Sequence, residues 1–189
     1  YAQTPYGEYE IQNKVEKSSV QLVGFSKTDE LQPQERRTYQ IEVNKSELAS
    51  YDANGVKTYY ISEGNHYLTL GSDAHQANNN ILEYKKNHGI IPSTSLLDGE
   101  GDDSLVYQVH LDFDYETYSR SKKTHENITN QFDDADINKF DQENNQVRYV
   151  TRNDWEHSIK QDISIKASEK ILNGLKKTLY SSSDYETQD

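Results

Sequence analysis

The sequence predicts a mainly β fold: an incomplete sandwich of antiparallel strands, then an irregular acidic segment with a further strand and a C-terminal helix. Short segments in the first part of the chain alternate apolar and polar side chains, which is typical of half-buried strands. Turn signals such as Asn54-Gly55 separate these segments. Only four or five of them are visible, whereas a complete sandwich has about seven strands. We therefore expect the first strands of the sandwich to be missing from this sequence.

The predicted strands of the first part follow one another at short intervals. Residues 20–25 contain the apolar run QLVGF, and residues 37–43, RTYQIEV, alternate apolar with polar side chains. Residues 58–61, TYYI, and residues 66–71, HYLTLG, are predicted to form the two arms of a hairpin. The turn between these arms is expected at residues 63–65, EGN.

The second part combines helical, irregular and extended segments. A helix is predicted over residues 77–87, and residues 107–115, YQVHLDFDY, alternate as a strand does. Short strands are expected at residues 147–151 and 163–166. Ser168 is predicted to cap a helix that carries an apolar stripe at helical spacing, made of Ile171, Leu172, Leu175 and Leu179.

Negative charge is concentrated in the second part of the chain. The net charge is −12, and residues 98–145 contain thirteen acidic but only four basic residues. Such a surface repels nucleic acid and anionic membranes, and no apolar segment reaches the roughly 18 residues that span a bilayer. We therefore divide the chain into a β domain, residues 1–88, and an acidic linker, residues 89–189, and expect neither nucleic acid nor a membrane span.

The chain contains neither Cys nor Met. The lack of Cys excludes disulfides, thiol chemistry and Cys-ligated zinc, but leaves both the cytoplasm and export open. The lack of an initiator Met indicates a part of a longer polypeptide. No phosphate-binding Gly loop, nucleophile elbow or metal-binding His pair is present, so we predict no catalytic residue, cofactor or metal ligand in this chain.

Two long stretches carry a family resemblance. One is VEKSSVQLVGFSKTDELQPQERRTYQIEV with LASYDANGVKTYYISEGNHYLTLGSDAHQANNNIL, and the other is ITNQFDDADINKFDQENNQVRYVTRNDWEHS. The first resembles the fibronectin-III-like domain of family 3 glycoside hydrolases, the β-glucosidases and their relatives. The second resembles the segment that joins this domain to a following barrel in members with permuted domain order. Gln34 replaces a Gly that is usual in the family, which affects only a turn.

The resemblance implies a fibronectin-III/immunoglobulin-like sandwich from a bacterial enzyme that hydrolyses terminal β-D-glycosidic bonds with retention. It also implies that the first strands, the α/β sandwich domain and the barrel domain lie outside this chain. The chain alone is then expected to be inactive, with the rest of the parent enzyme as its partner and a β-glucoside or oligosaccharide as the parent's substrate. We further expect an open sheet edge or an exposed apolar face, which upstream chain covers.

The dipeptide Asp154-Trp155 resembles the nucleophile motif of the same enzymes, but its context differs. Retaining glycosidases need two carboxylates on opposite sides of the scissile bond. The family's nucleophile follows a buried apolar strand and a small residue, whereas Thr151, Arg152 and Asn153 precede Asp154. We therefore predict that Asp154 is not the nucleophile. The resemblance instead assigns a structural linker motif, made of Phe132, Asp133, Arg152, Asp154 and Trp155.

Two alternatives of another class remain. Asp134, Asp136 and Asn138 occupy the first, third and fifth positions of an EF-hand-like loop, but Lys139 and Asn145 replace its essential Gly and Glu. A solvated acidic loop is therefore favoured over a calcium site. The 15 Tyr residues allow a carbohydrate-binding or cell-surface adhesion module, which a row of exposed aromatic side chains on one sheet face would reveal.

Overall fold

The computed structural model of the chain describes residues 1–95, 97–136, 138, 147, 149–157 and 168–176. These residues form two compact units, residues 1–148 and residues 149–189, each of which is described by itself. The first unit contains five short strands: β1 (Ala2–Gln3), β2 (Ser50–Tyr51), β3 (Tyr59–Tyr60), β4 (Gly64–Thr69) and β5 (Val106–Leu111).

The strands form two antiparallel sheets. The larger sheet has the order β1-β4-β5, and the smaller one pairs β2 with β3. Within the larger sheet, Gly64 lies opposite Leu111 and Thr69 lies opposite Val106, so that β4 and β5 pair over their whole length. The strand predicted at residues 107–115 is thus observed as β5, and the Asp114 backbone continues it through a bridge to Ile61.

The hairpin predicted from residues 58–61 and 66–71 is wrong. β3 pairs with β2 across the loop that contains Asn54-Gly55, whereas β4 pairs with β1 and β5. Gly64, which was expected in a turn, is the first residue of β4 and has a φ of +124°, a value that favours glycine. The turn therefore lies one segment earlier than the alternation of apolar side chains suggested.

The apolar segments at residues 20–25 and 37–43 do not form regular strands. Gln21 makes a single bridge to Ala2, and residues 22–25 and 37–43 show no ladder, although Gly24 lies beside Ile41. A strand needs a neighbour for its backbone N–H and C=O groups, so the correct pattern alone does not produce a ladder. Residues 147 and 149–151 likewise show no strand, and the strand predicted at residues 163–166 lies outside the described residues.

The first unit also contains two helices, α1 (Glu8–Asn13) and α2 (Ala74–Asn87). α1 was not predicted, because it is short and buries an acidic residue rather than an apolar stripe. α2 was predicted, and it begins three residues earlier than expected because the Asp73 side chain accepts a hydrogen bond from the Gln76 N–H at 2.8 Å. In the second unit, α3 (Glu169–Lys176) begins after Ser168, whose Oγ accepts from the Ile171 N–H.

The larger sheet is packed on both faces. α2 covers one face, where the Tyr67 and Tyr84 rings are 5.9 Å apart and the Asn80 amide donates to the Leu70 carbonyl at 2.8 Å. On the other side a small core contains Ala2, Leu48 and Ile61. This core is thin, as expected for a chain with only 32% hydrophobic residues, and polar contacts complete the packing of the unit.

Candidate functional site

A buried ion pair joins α1 to the segment that follows it. The Lys17 Nζ lies 2.8 Å from the Glu10 Oε1, and both side chains are only 4% exposed. Tyr60 and Ser62 donate their hydroxyl groups to the same Glu10 oxygen at 2.9 Å and 2.8 Å. The Gly7 N–H donates to the other oxygen, Oε2, at 2.9 Å. We call Glu10, Lys17, Tyr60 and Ser62 the buried ion-pair cluster.

The Lys17 ammonium has further partners. It donates to the Pro5 carbonyl at 3.0 Å and to the Ser62 Oγ, and it lies 5.0 Å from the centre of the Tyr60 ring. Burial alone would raise the pKa of Glu10, but hydrogen bonds from Lys17, Gly7 and Ser62 outweigh it and lower this pKa to about 2. Glu10 is therefore a fixed anion at neutral pH, not a proton donor.

A second buried carboxylate, Asp52, organises the loop between β2 and β3. Its Oδ1 accepts from the Asn54 and Gly55 N–H groups at 2.9 Å and 2.7 Å. Its Oδ2 accepts from the Val56 N–H at 3.0 Å and from the Tyr9 hydroxyl at 2.6 Å. Burial opposes ionisation, but these hydrogen bonds together lower the pKa of Asp52. Asp52 thereby ties the hairpin loop to α1.

Sequence reasoning did not find either carboxylate. Glu10 and Asp52 lie 43 residues or more from partners such as Ser62 and Tyr9, and no local pattern marks the pairing. The only local signals are the turn-forming Asn54-Gly55 beside Asp52 and a Lys seven residues after Glu10. The aromatic rings of Tyr9 and Tyr60, which bond to Asp52 and Glu10, are 5.1 Å apart. The Phe113 ring packs 5.0 Å from the Tyr9 ring.

This arrangement does not resemble the carboxylate pair of a retaining glycosidase. Those carboxylates face each other across an open cleft and must reach the substrate. Glu10 and Asp52 are 3% and 0% exposed, and every carboxylate oxygen accepts at least one hydrogen bond from the protein. Among the described residues, these two groups are suited to holding the fold together rather than to acid–base or nucleophilic chemistry.

A polar cleft of about 300 Å³ contains two further carboxylates, Asp112 and Asp114, beside Lys45 and His110. Asp114 already caps a turn, because its Oδ1 accepts from the Thr117 N–H at 3.0 Å. The two carboxylates come from one short segment after β5, whereas a retaining glycosidase holds its pair on opposite sides of the scissile bond.

The first unit also has an open apolar groove of about 640 Å³ at the end of the larger sheet. Its apolar walls are formed by Leu22, Phe25, Ile41, Leu70 and Leu105. Phe25 is 75% exposed and Leu70 is 61% exposed, although their neighbours in the groove are apolar. An adjoining hollow of about 240 Å³ extends the same surface to Val23, Val43, Leu68 and Tyr107. An exposed apolar face was predicted from the sequence, and this groove is such a face.

The residues of the predicted linker motif lie in both units. Phe132 is 79% exposed and Asp133 begins a short 3₁₀ turn in the first unit. Arg152 and Asp154 lie in a kinked 3₁₀ segment of the second unit, Arg152–His157, where the Asp154 N–H donates to the Thr151 carbonyl at 3.2 Å. The side chain of Trp155 lies outside the described part of the chain.

The residues considered for calcium are used in closing a loop. The Asp136 Oδ1 accepts from the Asn138 N–H at 3.0 Å. The Asn138 side-chain amide accepts from the Val147 N–H at 2.7 Å and donates to the Val147 carbonyl at 2.8 Å. Lys139 and Asn145 lie outside the described residues. Within the described part, no group of three or more His, Asp or Glu side chains is arranged to hold a metal ion.

The strands described here carry exposed Tyr side chains singly: Tyr59 lies on β3 of the smaller sheet and Tyr107 on β5 of the larger one. This arrangement gives the carbohydrate-binding alternative no specific support. In the described part of the chain, no helix combines the length and the apolar character that crossing a bilayer requires.

Comparison with known proteins gives one finding for the first unit. Residues 1–74 match the family model of the fibronectin type III-like domain. Searches of curated proteins and of solved structures found no match. The matched region contains β1 to β4, α1 and both buried carboxylates. The first part of the chain thus has the fibronectin III-like fold class, with antiparallel strands and a few helices.

Proposed function

We propose that this chain is a non-catalytic, domain-positioning part of a family 3 glycoside hydrolase. The match of residues 1–74 to the fibronectin type III-like domain carries the proposal, because this domain occurs in those enzymes. The parent enzyme would hydrolyse terminal β-D-glycosidic bonds with retention, using carboxylates supplied by its other domains. The buried, fully hydrogen-bonded state of Glu10 and Asp52 supports a structural role for this part.

The apolar groove supports a role in domain contact. Eight of its lining residues are Leu, Ile, Val or Phe, whose side chains form protein–protein contacts, and the others include Tyr1 and Tyr107. No Asp, Glu, Lys or Arg side chain lines the groove. We propose that it packs against an uncharged, apolar segment of the parent enzyme, and that this contact fixes the position of the domain.

Hydrolysis of a chromogenic β-glucoside tests the proposed function. The 189-residue chain should show no turnover above a heat-denatured control, whereas the longer product of its gene should be active. Asp154→Asn in the longer product should retain activity, because we assign Asp154 to the linker. Turnover by the 189-residue chain that disappears in Asp154→Asn would make Asp154 the nucleophile and overturn the proposal.

A charge placed in the groove tests the domain contact. Phe25→Asp should leave the urea midpoint of the 189-residue chain nearly unchanged, because Phe25 is 75% exposed. In the longer product the same change should lower the thermal midpoint, because it buries an unpaired carboxylate. Ile90→Asp is the matched control, since Ile90 is 46% exposed and lies outside the groove. Equal effects of the two changes in the longer product would contradict the contact.

A further inference from the structure

The side chain of His66 is completely buried in the middle of the larger sheet, on β4 opposite Val109. Its Nδ1 lies 3.1 Å from the Gly64 carbonyl oxygen. A carbonyl oxygen only accepts hydrogen bonds, so Nδ1 carries the proton of the neutral ring. The other nitrogen, Nε2, is then a bare acceptor. This atom is buried and has no hydrogen-bond partner in the described part of the chain.

A proton added to Nε2 would create a buried cation with no acceptor. Three titratable groups act on the ring: Lys17 of the segment after α1, Glu10 of α1, and His110 of β5. Lys17 carries a positive charge, which repels a second one. Both oxygens of Glu10 already accept hydrogen bonds from Lys17, Tyr60, Ser62 and Gly7. Glu10 and the Gly64 carbonyl raise the pKa of the ring, but burial, Lys17 and His110 outweigh them, and Nε2 itself has no acceptor among the described residues.

Residues 5–17 are the segment that contacts β3 and β4 near His66. Residues 5–17 include α1 and Lys17, and they are held through Glu10 to the hydroxyl groups of Tyr60 and Ser62. Pro5 also lies against Gly64, the residue whose carbonyl fixes the His66 ring. Residues 5–17 thus contact β4 at Gly64, two residues from His66.

We propose that His66 makes the packing of residues 5–17 on the sheet acid-sensitive: proton uptake at Nε2 requires this segment to separate from β4. Acid would then loosen the contact between residues 5–17 and β4, a property beyond the domain-positioning function. In the intact protein this loosening would act on the matched fibronectin-like region itself, since residues 5–17, β3 and β4 all belong to it.

The direction of the effect follows from proton linkage. Burial, with Lys17 and His110, lowers the pKa of His66 in the folded state. The unfolded chain therefore takes up a proton near pH 6.5, whereas the folded chain takes it up only at a lower pH. The contribution of His66 to stability is complete above this pH and is lost as the pH falls below it. One such group lowers the folding equilibrium constant by at most about tenfold for each pH unit. The stabilisation by ionised Glu10 is complete above its ordinary pKa of 4.5, so Glu10 adds no pH dependence in this range.

Urea unfolding of the 189-residue chain between pH 7.5 and pH 5 tests the proposal. His66→Asn keeps a donor for the Gly64 carbonyl but cannot be protonated. Between pH 6.5 and pH 5.5 the folding equilibrium constant should fall for both proteins, and the fall should be up to about tenfold smaller for His66→Asn than for the wild type. The Tyr1 amino group, whose pKa burial lowers, is present in both proteins and cancels in the comparison. His75→Gln, at a 63% exposed site, should follow the wild type. Parallel pH curves for the wild type and His66→Asn would overturn the proposal.

A measurement on the wild type serves if His66→Asn does not fold. The ring nitrogens of His66 should take up a proton at a lower pH in the folded chain than in the urea-unfolded chain. Protection factors of the Ile11 and Val15 amides, which bond to Gly7 and Glu10, should fall on acidification, while that of His88 at the end of α2 should not. A His66 ring that titrates near pH 6.5 without loss of this protection would contradict the acid-sensitive packing.

Discussion

Replacing Lys17 by Met should lower the free energy of unfolding by about 3–5 kcal/mol, the usual cost of removing one partner of a buried ion pair. The change leaves the Glu10 carboxylate buried without its cation. It also removes the hydrogen bonds to Pro5 and Ser62. Since a domain of this size is stable by only about 5–15 kcal/mol, the variant should be close to unfolding at room temperature. The measurement is urea unfolding at pH 7.

An exposed ion pair on the same chain provides the control. Arg37 lies 3.2 Å from Asp29 and 2.8 Å from Glu35, and the Arg37 and Asp29 side chains are 42% and 89% exposed. Exposed pairs contribute about 0–1 kcal/mol, so Arg37→Met should have little effect. The double variant Glu10→Gln, Lys17→Met should recover part of the lost stability, because it contains no buried unpaired charge. A Lys17→Met effect as small as that of Arg37→Met would show that Glu10 does not depend on Lys17.

The pH dependence of Lys17→Met gives an independent test. Because the folded pKa of Glu10 is about 2, ionised Glu10 stabilises the wild type fully above about pH 4.5, and this contribution is lost as the pH falls toward 2. Without Lys17, burial raises the pKa of Glu10 again. The variant should therefore lose less stability than the wild type between pH 5 and pH 3. Identical losses would contradict the role of Lys17.

The sequence predicted the elements that local patterns specify. β5 follows from the alternation of residues 107–115, and α2 was predicted from residue 77 onward, without the Asp73 cap that starts it at Ala74. Both elements also find partners within the chain. The fibronectin-like fold class was predicted from long motifs, and the match of residues 1–74 supports it.

Local sequence patterns did not predict which strands pair or which polar side chains are buried. The segment at residues 37–43 alternates as a strand does, but it forms no ladder, because a side-chain pattern does not by itself supply the backbone pairing that a strand needs. The partner of β3 depends on the loop that Asp52 folds, and not on the alternation of the next segment. Glu10 and Asp52 resemble ordinary surface acids in the sequence, because the hydroxyl groups that bury them come from distant positions.

Replacing Asp52 by Ala should lower the free energy of unfolding by about 3 kcal/mol. Four donors lose their acceptor: the N–H groups of Asn54, Gly55 and Val56, and the Tyr9 hydroxyl. A buried donor without a partner costs about 1–3 kcal/mol, and the loop N–H groups, which are only partly buried, regain water after the change. Urea unfolding at pH 7 measures the loss, and an effect below about 1 kcal/mol would contradict the tie between the loop and α1.

Two conservative variants separate the two sides of this tie. Asp52→Asn keeps the shape of the side chain and one acceptor oxygen, but places an NH₂ group against the Val56 N–H. Its free energy of unfolding should therefore lie between those of the wild type and Asp52→Ala. Tyr9→Phe removes only the 2.6 Å hydrogen bond to α1 and should cost about 1–2 kcal/mol. If the Tyr9→Phe loss equals that of Asp52→Ala, the carboxylate acts mainly on α1. If it is much smaller, the three loop N–H groups account for the effect, and Asp52 acts chiefly by folding the turn that pairs β2 with β3. A double-mutant cycle of Tyr9→Phe and Asp52→Asn measures the coupling energy between the Tyr9 hydroxyl and the Asp52 carboxylate directly.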